Sequence, residues 1–184
     1  MRTYRRRLPH RDSPGDPVFV TWRLWGSLPE ERVFHPEHLT SGEAFAAWDR
    51  LLDTARSGPL YLRQPEVATL VRDHLDAAVA EGRCALHAYS LMPNHVHLLW
   101  TPLISLPDLI RRVKGATAYQ ANKLLCRTGQ LFWQDEYFDR MVRTAREFDR
   151  IQRYIEWNPV KGALVTNPEE FPWSSAAGLK PHAG

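Results

Sequence analysis

Apolar and polar positions alternate with a period of two in several short segments of the chain. Residues 18–25 alternate β-branched and aromatic side chains with more polar ones and then reach a turn-forming stretch. Residues 84–92 and 95–101 are apolar and are separated only by Pro93 and Asn94. Period-two segments bounded by turn residues predict strands, and a two-residue connection predicts an antiparallel hairpin. We expect this hairpin to be central to a sheet.

Other segments repeat their apolar positions with the period of a helix. Helical patterns cover residues 43–57, 65–80, 106–126 and 146–157. The third pattern has Arg and Lys residues on its polar face, so it predicts a basic amphipathic helix. The last pattern is expected to stop before Pro159, because the residue that precedes a proline disfavours helix.

A further strand is predicted over residues 132–142. The predicted order is then strand, two helices, two strands, helix, strand, helix. An antiparallel sheet with helices packed mainly on one face gives this order, so we expect an α+β fold close to a ferredoxin-like arrangement. The length of 184 residues predicts a single domain over 1–184, with a basic arm over about 1–16 and a short tail over about 163–184.

Charge and cysteine content narrow the function only slightly. The formal net charge of +3 favours polyanionic partners weakly. The N-terminal arm is arginine-rich, and such arms are as often solvated tails as phosphate contacts. No apolar run reaches membrane-spanning length, which predicts a soluble, cytoplasmic protein. Cys84 and Cys126 lack the spacing of a disulfide framework or zinc knuckle, so both are expected in the core.

Two histidines occupy alternate positions, His95 and His97, on the second strand of the predicted hairpin. Strand periodicity directs both imidazoles to one face, where two ring nitrogens can share a cation and leave room for a third ligand and a substrate. A strand with two histidines on its solvent face explains this segment equally well. Histidine-triad nucleotide hydrolases are disfavoured, because Leu99 stands where a third histidine is expected.

The last predicted helix carries a second polar pair. Ile151 and Ile155 belong to its buried stripe, and helical spacing puts Tyr154 and Asn158 one turn apart at the margin of that stripe. A nucleophile and a metal ligand can occupy such a margin. Taken alone, the segment favours a plainer interpretation, in which Tyr154 packs at the edge of the core and Asn158 caps the helix.

Together these motifs resemble the single-tyrosine HUH transposases, and most closely the bacterial repeat-associated tyrosine transposases. The resemblance extends from about residue 3 to residue 175. The matching motifs are residues 21–28, the pair His95 and His97, residues 131–134, the helix with Tyr154 and Asn158, and residues 157–161 and 173–175. Residues 26–57 form a longer region than compact members of the family have.

The resemblance implies a nucleophile, a metal and a substrate. It implies Tyr154 as the nucleophile and His95, His97 and Asn158 as ligands of a divalent metal, for which Mg²⁺ or Mn²⁺ suits phosphate chemistry. The implied reaction is nicking and strand transfer of single-stranded DNA through a covalent 5′-phosphotyrosine, without a nucleotide cofactor. Hairpin or palindromic repeat DNA is the implied partner, as in DNA transposition, and the protein is expected to be a monomer or a homodimer.

Several alternatives and secondary candidates accompany this hypothesis. A domesticated hairpin-binding or regulatory module without cleavage activity is the alternative function. Tyr119 and Tyr137 are weaker nucleophile candidates, because the first falls in the apolar series of its helix and the second in a predicted strand. The candidate phosphate contacts are Arg5, Arg6, Arg7, Lys114, Arg150 and Arg153. The candidate base-stacking residues, which core packing would explain as well, are Trp22, Trp25, Trp133 and Trp157.

Overall fold

The computed structural model of the chain describes residues 14–28, 49–53 and 58–177. These residues contain one four-stranded antiparallel sheet. Its strands are β1 (Val18–Arg23), β2 (Cys84–Leu91), β3 (His95–Pro102) and β4 (Phe138–Met141). The order across the sheet is β2-β3-β1-β4. The predicted hairpin is therefore confirmed, but only its second strand, β3, is central, while β2 lies at an edge.

The predicted helices are present wherever the structure describes their residues. They are α1 (Pro65–Ala80), α2 (Leu106–Leu124), α3 (Ala145–Glu156) and the short α4 (Asn158–Lys161). Residues 49–53 are helical as well, and the rest of the pattern predicted over 43–57 lies outside the described residues. None of the helices in the described ranges combines the length and apolar character that crossing a bilayer requires.

The sheet separates two hydrophobic layers. On one face, Val96 and Leu98 of β3 pack in a large cluster with residues of α1 and α2. On the other face, Phe19 and Leu99 pack in a smaller cluster with Ile155 of α3. Two long helices thus cover one face and one shorter helix covers the other, which agrees with the predicted α+β class. Alternation along β3 sends the histidines to the α3 side.

The outer edge of β2 is partly covered by the segment near residue 174. Ser174 forms a β-bridge with Ser90, and the Leu91 amide donates to the Trp173 carbonyl at 2.8 Å. The Ser175 amide donates to the Tyr89 carbonyl at 2.9 Å. Pairing along an edge strand removes exposed backbone donors and acceptors, so this motif protects the sheet.

Three local expectations were wrong. The strand predicted over residues 132–142 is limited to β4, because Trp133 is held by core packing and by its indole N–H, which donates to the Thr117 hydroxyl at 2.9 Å. Cys84 is buried, but Cys126 is exposed beyond the end of α2 in the left-handed backbone region. Tyr119 is 64% exposed on α2, so its place in an apolar series did not bury it.

The last predicted helix, α3, stops before Pro159 as expected. The helix ends at Glu156, but the chain turns directly into α4 instead of leaving helical structure. Pro159 lies in the first turn of α4, where its missing N–H needs no helical acceptor. This tight junction keeps Asn158 within one turn of Tyr154 and buries its side chain completely.

Candidate functional site

The histidine pair lies beneath α3 in the middle of the sheet. His95 and His97 are both fully buried, and their Nε2 atoms are 2.9 Å apart. The two rings are nearly perpendicular, with their centroids 4.7 Å apart. The alternation of β3 therefore directs both Nε2 atoms to the same point.

Hydrogen bonds to the outer ring nitrogens orient this pair. The Asn94 side-chain nitrogen donates to the Leu52 carbonyl at 3.1 Å, so its Oδ1 faces His95 Nδ1 at 2.6 Å. Because an amide oxygen only accepts, His95 Nδ1 carries the proton and Nε2 presents a lone pair. His97 Nδ1 lies 2.8 Å from the hydroxyl of Thr21, which can donate or accept.

The charge state of His95 is set by its surroundings. Burial, together with the neighbouring His97, lowers the pKa of His95 to about 3. The ring is therefore neutral at physiological pH. A neutral imidazole with an inward lone pair is the form of histidine that binds metal ions.

Tyr154 and Asn158 meet the histidines from the α3 side. The Tyr154 hydroxyl donates to Asp49 Oδ2, and its ring meets the His97 ring edge-on, with centroids 5.8 Å apart. Asn158 Nδ2 also faces Asp49 Oδ2, at 3.4 Å. Trp157, and not Asn158, is the C-terminal cap of α3. The plain capping interpretation of Asn158 is therefore wrong.

Two carboxylates that were not predicted from the sequence complete the cluster. Asp49 Oδ1 lies 3.1 Å from His97 Nε2 and 3.7 Å from His95 Nε2. Asp53 Oδ1 lies 3.7 Å from His95 Nε2. A signal was present, because residues 49 and 53 are one turn apart within a predicted helix and so share a face. Nothing local indicated which face of the sheet they would meet.

The electrostatics of the two carboxylates differ. Burial opposes the ionisation of Asp49, but His97 and other polar partners outweigh burial and hold the Asp49 pKa below its ordinary value. Burial and the adjacent Asp49 raise the pKa of Asp53 to about 7. The Lys161 ammonium lies 4.0 Å from the centre of the Tyr154 ring, which adds a cation beside the hydroxyl-bearing side chain.

The donor set is suited to a divalent metal. Asp49, His95 and His97 each offer one ligand atom, and these atoms all lie within 4.8 Å of one another. Asn158 Oδ1 is buried and has no hydrogen-bond partner among the described residues, which is unusual for a polar atom in a protein interior. Imidazole nitrogens combined with carboxylate or amide oxygens suit several divalent ions.

The predicted DNA contacts are spread over the molecule. Arg150 and Arg153 are exposed on α3, close in sequence to Tyr154. Lys114 belongs to α2, and its ammonium donates to the carbonyls of Gln134 at 2.5 Å and Asp135 at 2.9 Å. Arg5, Arg6 and Arg7 lie outside the described residues.

The four tryptophans divide into two groups. Trp22 and Trp133 are buried in the large cluster and contact each other edge-on, with ring centroids 6.1 Å apart. Trp25 and Trp157 are 43% and 48% exposed. Only the second group is accessible to a base.

Comparison with known proteins gives the family. The family model described as IS200-like transposase matches residues 61–158, more than half of the chain. The chain belongs to this family. The matched segment contains the histidine pair, Tyr154 and Asn158, whereas Asp49 and Asp53 precede it. The protein is therefore a transposase, as its motifs predicted.

Two individual similarities accompany the family match. The transposase is 31% identical over 97 residues to the ISDra2 transposase TnpA of Deinococcus radiodurans, an alignment that covers 50% of this chain and 69% of the relative. A solved structure of a REP-associated tyrosine transposase bound to a REP hairpin superposes with a TM-score of 0.62 and 20% identity, covering 98% of this chain and 89% of that chain. The second similarity shows that the fold is shared.

Proposed function

We propose that this transposase nicks and rejoins single-stranded DNA through a covalent 5′-phosphotyrosine at Tyr154. The observation that carries the proposal is the convergence of the Tyr154 hydroxyl, the two histidine Nε2 atoms and the Asp49 carboxylate in one buried cluster. Family membership supplies the reaction class. Histidine pairs, tyrosines and carboxylates occur separately in many folds, so their convergence is the informative feature.

We infer that His95, His97 and Asn158 hold a divalent metal, with Asp49 as a further ligand. The inward lone pair of His95 and the Asn158 Oδ1, which has no hydrogen-bond partner in the described ranges, support this set. When bound, Mg²⁺ or Mn²⁺ would neutralise charge on the attacked phosphate and orient it for in-line displacement. The mixture of oxygen and imidazole donors is compatible with both ions.

The protein's own groups account for the covalent step. The Tyr154 oxygen attacks phosphorus, the bond between phosphorus and the 3′-oxygen breaks, and the leaving 3′-oxygen takes up a proton to become a free hydroxyl. Asp49 Oδ2 is the acceptor nearest the tyrosine proton and would take it as the new bond forms. The Lys161 ammonium favours the developing phenolate.

Rejoining reverses these events on a second strand. A 3′-hydroxyl attacks the phosphotyrosine, the new phosphodiester forms, and the Tyr154 oxygen recovers its proton. The phosphate remains a diester throughout, so its bond energy is retained. The reaction therefore needs no nucleotide cofactor.

Hairpin or palindromic repeat DNA is the substrate that we propose. The solved REP-associated transposase is bound to a REP hairpin, and its fold is the fold of this chain. The basic arm, Arg150 and Arg153 are the proposed phosphate contacts. Lys114 is the weakest member of the predicted set, because two backbone carbonyls already accept from its ammonium. A single domain, a cytoplasmic location and a monomeric or dimeric state stay predictions from the sequence.

The direct test is formation of a protein–DNA adduct. Hairpin DNAs with single-stranded flanks, labelled at the 3′ end, are incubated with wild-type or Tyr154→Phe protein, with and without Mn²⁺. We expect a labelled adduct on a denaturing gel only for the wild type with Mn²⁺, because a 5′-phosphotyrosine retains the 3′ fragment. Tyr119→Phe and Tyr137→Phe are the matched controls and should form the adduct normally.

Two results would contradict the proposal. An adduct that survives in Tyr154→Phe would assign the nucleophile to another residue. Tight hairpin binding without any adduct, across a broad panel of substrates, would favour the alternative of a binding module that has lost cleavage.

A further inference from the structure

The outer surface of α3 carries a row of exposed cationic and aromatic side chains. Arg146, Arg150, Arg153 and Trp157 are all exposed. At about 100° per residue, these four positions fall within about 60° of one another around the helix axis. Trp157 keeps helical backbone angles at the C-terminal cap, so it continues the row. We call this row the arginine–tryptophan stripe.

Little within the described part of the chain neutralises the stripe. The Glu147 carboxylate forms an ion pair with Arg140 at 2.7 Å and accepts a hydrogen bond from the Arg143 amide. Arg150 is 3.8 Å from the same carboxylate, and its side chain is 70% exposed. Arg146 and Arg153 form no ion pair with any residue that the structure describes. The stripe therefore presents positive charge to solvent.

The stripe runs beside the candidate nucleophile. Helical spacing places Tyr154 on one flank of the stripe, about 80° from Arg146, while the acids Asp149 and Glu156 lie on the opposite flank. From Arg146 to Trp157 the stripe is about 16 Å long at 1.5 Å per residue. The stripe and the Tyr154 side chain are therefore neighbours around the axis of α3.

We propose that the arginine–tryptophan stripe binds the unpaired DNA strand next to the phosphate that Tyr154 attacks. The arginines contact successive phosphates, and the exposed face of Trp157 stacks on one base. This inference rests on the proposed function, adds Arg146 to the phosphate contacts and assigns base stacking to Trp157. Cations interleaved with an aromatic platform suit single strands of any sequence, because every base has a face that can stack. A paired base within a stem offers no such face, which favours single-stranded DNA.

Equilibrium binding tests the charge of the stripe. Tyr154→Phe protein is used so that no DNA is cleaved, with a labelled hairpin that has a single-stranded extension or with the same hairpin cut blunt. We expect the triple change Arg146→Gln, Arg150→Gln and Arg153→Gln to weaken binding of the extended hairpin about tenfold. The slope of the logarithm of the binding constant against the logarithm of the salt concentration should become shallower by about 2, because each lost phosphate contact removes about 0.7. Binding of the blunt hairpin should stay unchanged.

A charge-matched control separates the stripe from general electrostatics. Arg111→Gln, Arg112→Gln and Lys123→Gln remove the same charge from exposed positions on α2. This triple should bind the extended hairpin like the parent. Equal weakening by both triples, or equal weakening for the blunt hairpin, would overturn the proposal, because it would indicate nonspecific attraction or contact with the stem.

Substitution of the tryptophan tests stacking independently of charge. Trp157→Ala should weaken binding of the extended hairpin about tenfold, and Trp157→Phe should restore most of the loss. Leu103→Ala, which removes a large apolar side chain of similar exposure from the loop before α2, is the control. Unaltered binding by Trp157→Ala would overturn the stacking role.

Failure of this proposal is distinguishable from failure of the proposed function. Binding is measured without cleavage. If the wild-type protein forms no adduct, the assignment of Tyr154 as the nucleophile is contradicted, but the effect of the stripe variants on DNA binding can still be measured. Conversely, if the wild type forms the adduct and the stripe variants bind DNA normally, only the DNA-binding role of the stripe is refuted. Equal thermal unfolding of all variants shows that each is folded.

Discussion

Asp49 connects three parts of the site through one side chain. Its Oδ1 faces the histidine Nε2 atoms, and its Oδ2 accepts from the Tyr154 hydroxyl. A carboxylate in this position attracts a cation to the histidine Nε2 atoms. It can also accept the proton that a nucleophilic tyrosine must lose. The residue lies ahead of the segment that the family model matches.

Neutralising Asp49 should weaken metal-dependent activity. Asp49→Asn keeps the shape of the side chain but removes its charge, so we expect the Mn²⁺ concentration for half-maximal adduct formation to rise about 10- to 100-fold. Titration of adduct yield with Mn²⁺ measures this. Asp76→Asn, on an exposed position of α1, is the control and should behave as wild type. An unchanged Mn²⁺ requirement in Asp49→Asn would remove Asp49 from the ligand set.

The raised pKa of Asp53 predicts a pH-dependent stability effect. The folded-state pKa is about 7 against an ordinary value of 3.8, so the folded state binds the proton more tightly and loses stability as pH rises from about 3.8 to about 7. Asp53→Asn removes this loss. Without metal, we expect the variant to gain on the order of 1 to 4 kcal/mol over wild type at pH 8, and less at pH 5.

Chemical denaturation at the two pH values, with a chelator present, checks the Asp53 prediction. The lowered pKa of His95 acts in the opposite direction, because it costs stability as pH falls below about 6.5. That contribution is common to both proteins, so their difference isolates Asp53. A difference that does not vary between pH 5 and pH 8 would contradict the prediction.

At the scale of elements, α3 presents three distinct faces. Ile151 and Ile155 pack against the sheet, Tyr154 points to the histidines, and the arginine–tryptophan stripe faces solvent. The helix begins at Ala145 and is capped by Thr144, whose hydroxyl accepts from the Glu147 amide at 3.1 Å. Its orientation determines where the predicted site residues Arg150, Arg153 and Tyr154 lie, so its first turn matters for the site as well as for stability.

Removing the cap of α3 should lower stability by a modest amount. Thr144→Ala leaves a helical N–H without its side-chain acceptor and is expected to cost about 1 kcal/mol in the free energy of unfolding. Urea denaturation measures the loss. Thr128→Ala, in the exposed loop after α2, is the matched control and should be neutral. Equal effects of the two substitutions would show that the cap contributes nothing specific.

At the scale of the whole molecule, the site joins separate layers of the fold. Residues 49–53, the central strand β3, and α3 with α4 each contribute side chains that meet on one face of the sheet. A metal bound at this junction would link these parts in the folded state only. Binding should therefore stabilise the whole domain, because the unfolded chain does not bring the ligands together.

Metal-linked stability is measurable by thermal unfolding. Mn²⁺ at about 100 times its dissociation constant should add about 2.7 kcal/mol and raise the melting temperature. His95→Ala should abolish the Mn²⁺-dependent shift whatever its own melting temperature is. His74→Ala, which alters a histidine on α1, should keep the shift. A full shift in His95→Ala would place the bound metal elsewhere.

Local periodicity determined much of this protein before any tertiary contact was considered. The period of two puts His95 and His97 on one face of β3, and the period of 3.6 puts Tyr154 beside Asn158. Both relations depend only on neighbours along the chain, so they could be read directly from the residues. The order of elements likewise indicated the antiparallel α+β fold.

Only the tertiary structure decided which distant residues share the site. The Tyr154 hydroxyl meets a carboxylate 105 positions away, and no periodicity of either segment encodes that pairing. The short extent of β4, the edge position of β2 and the exposure of Tyr119 likewise depend on how distant segments pack, which local periodicity does not encode. Spacing along the chain determines which side chains share a face of a helix or strand, and long-range packing determines which distant residues that face contacts.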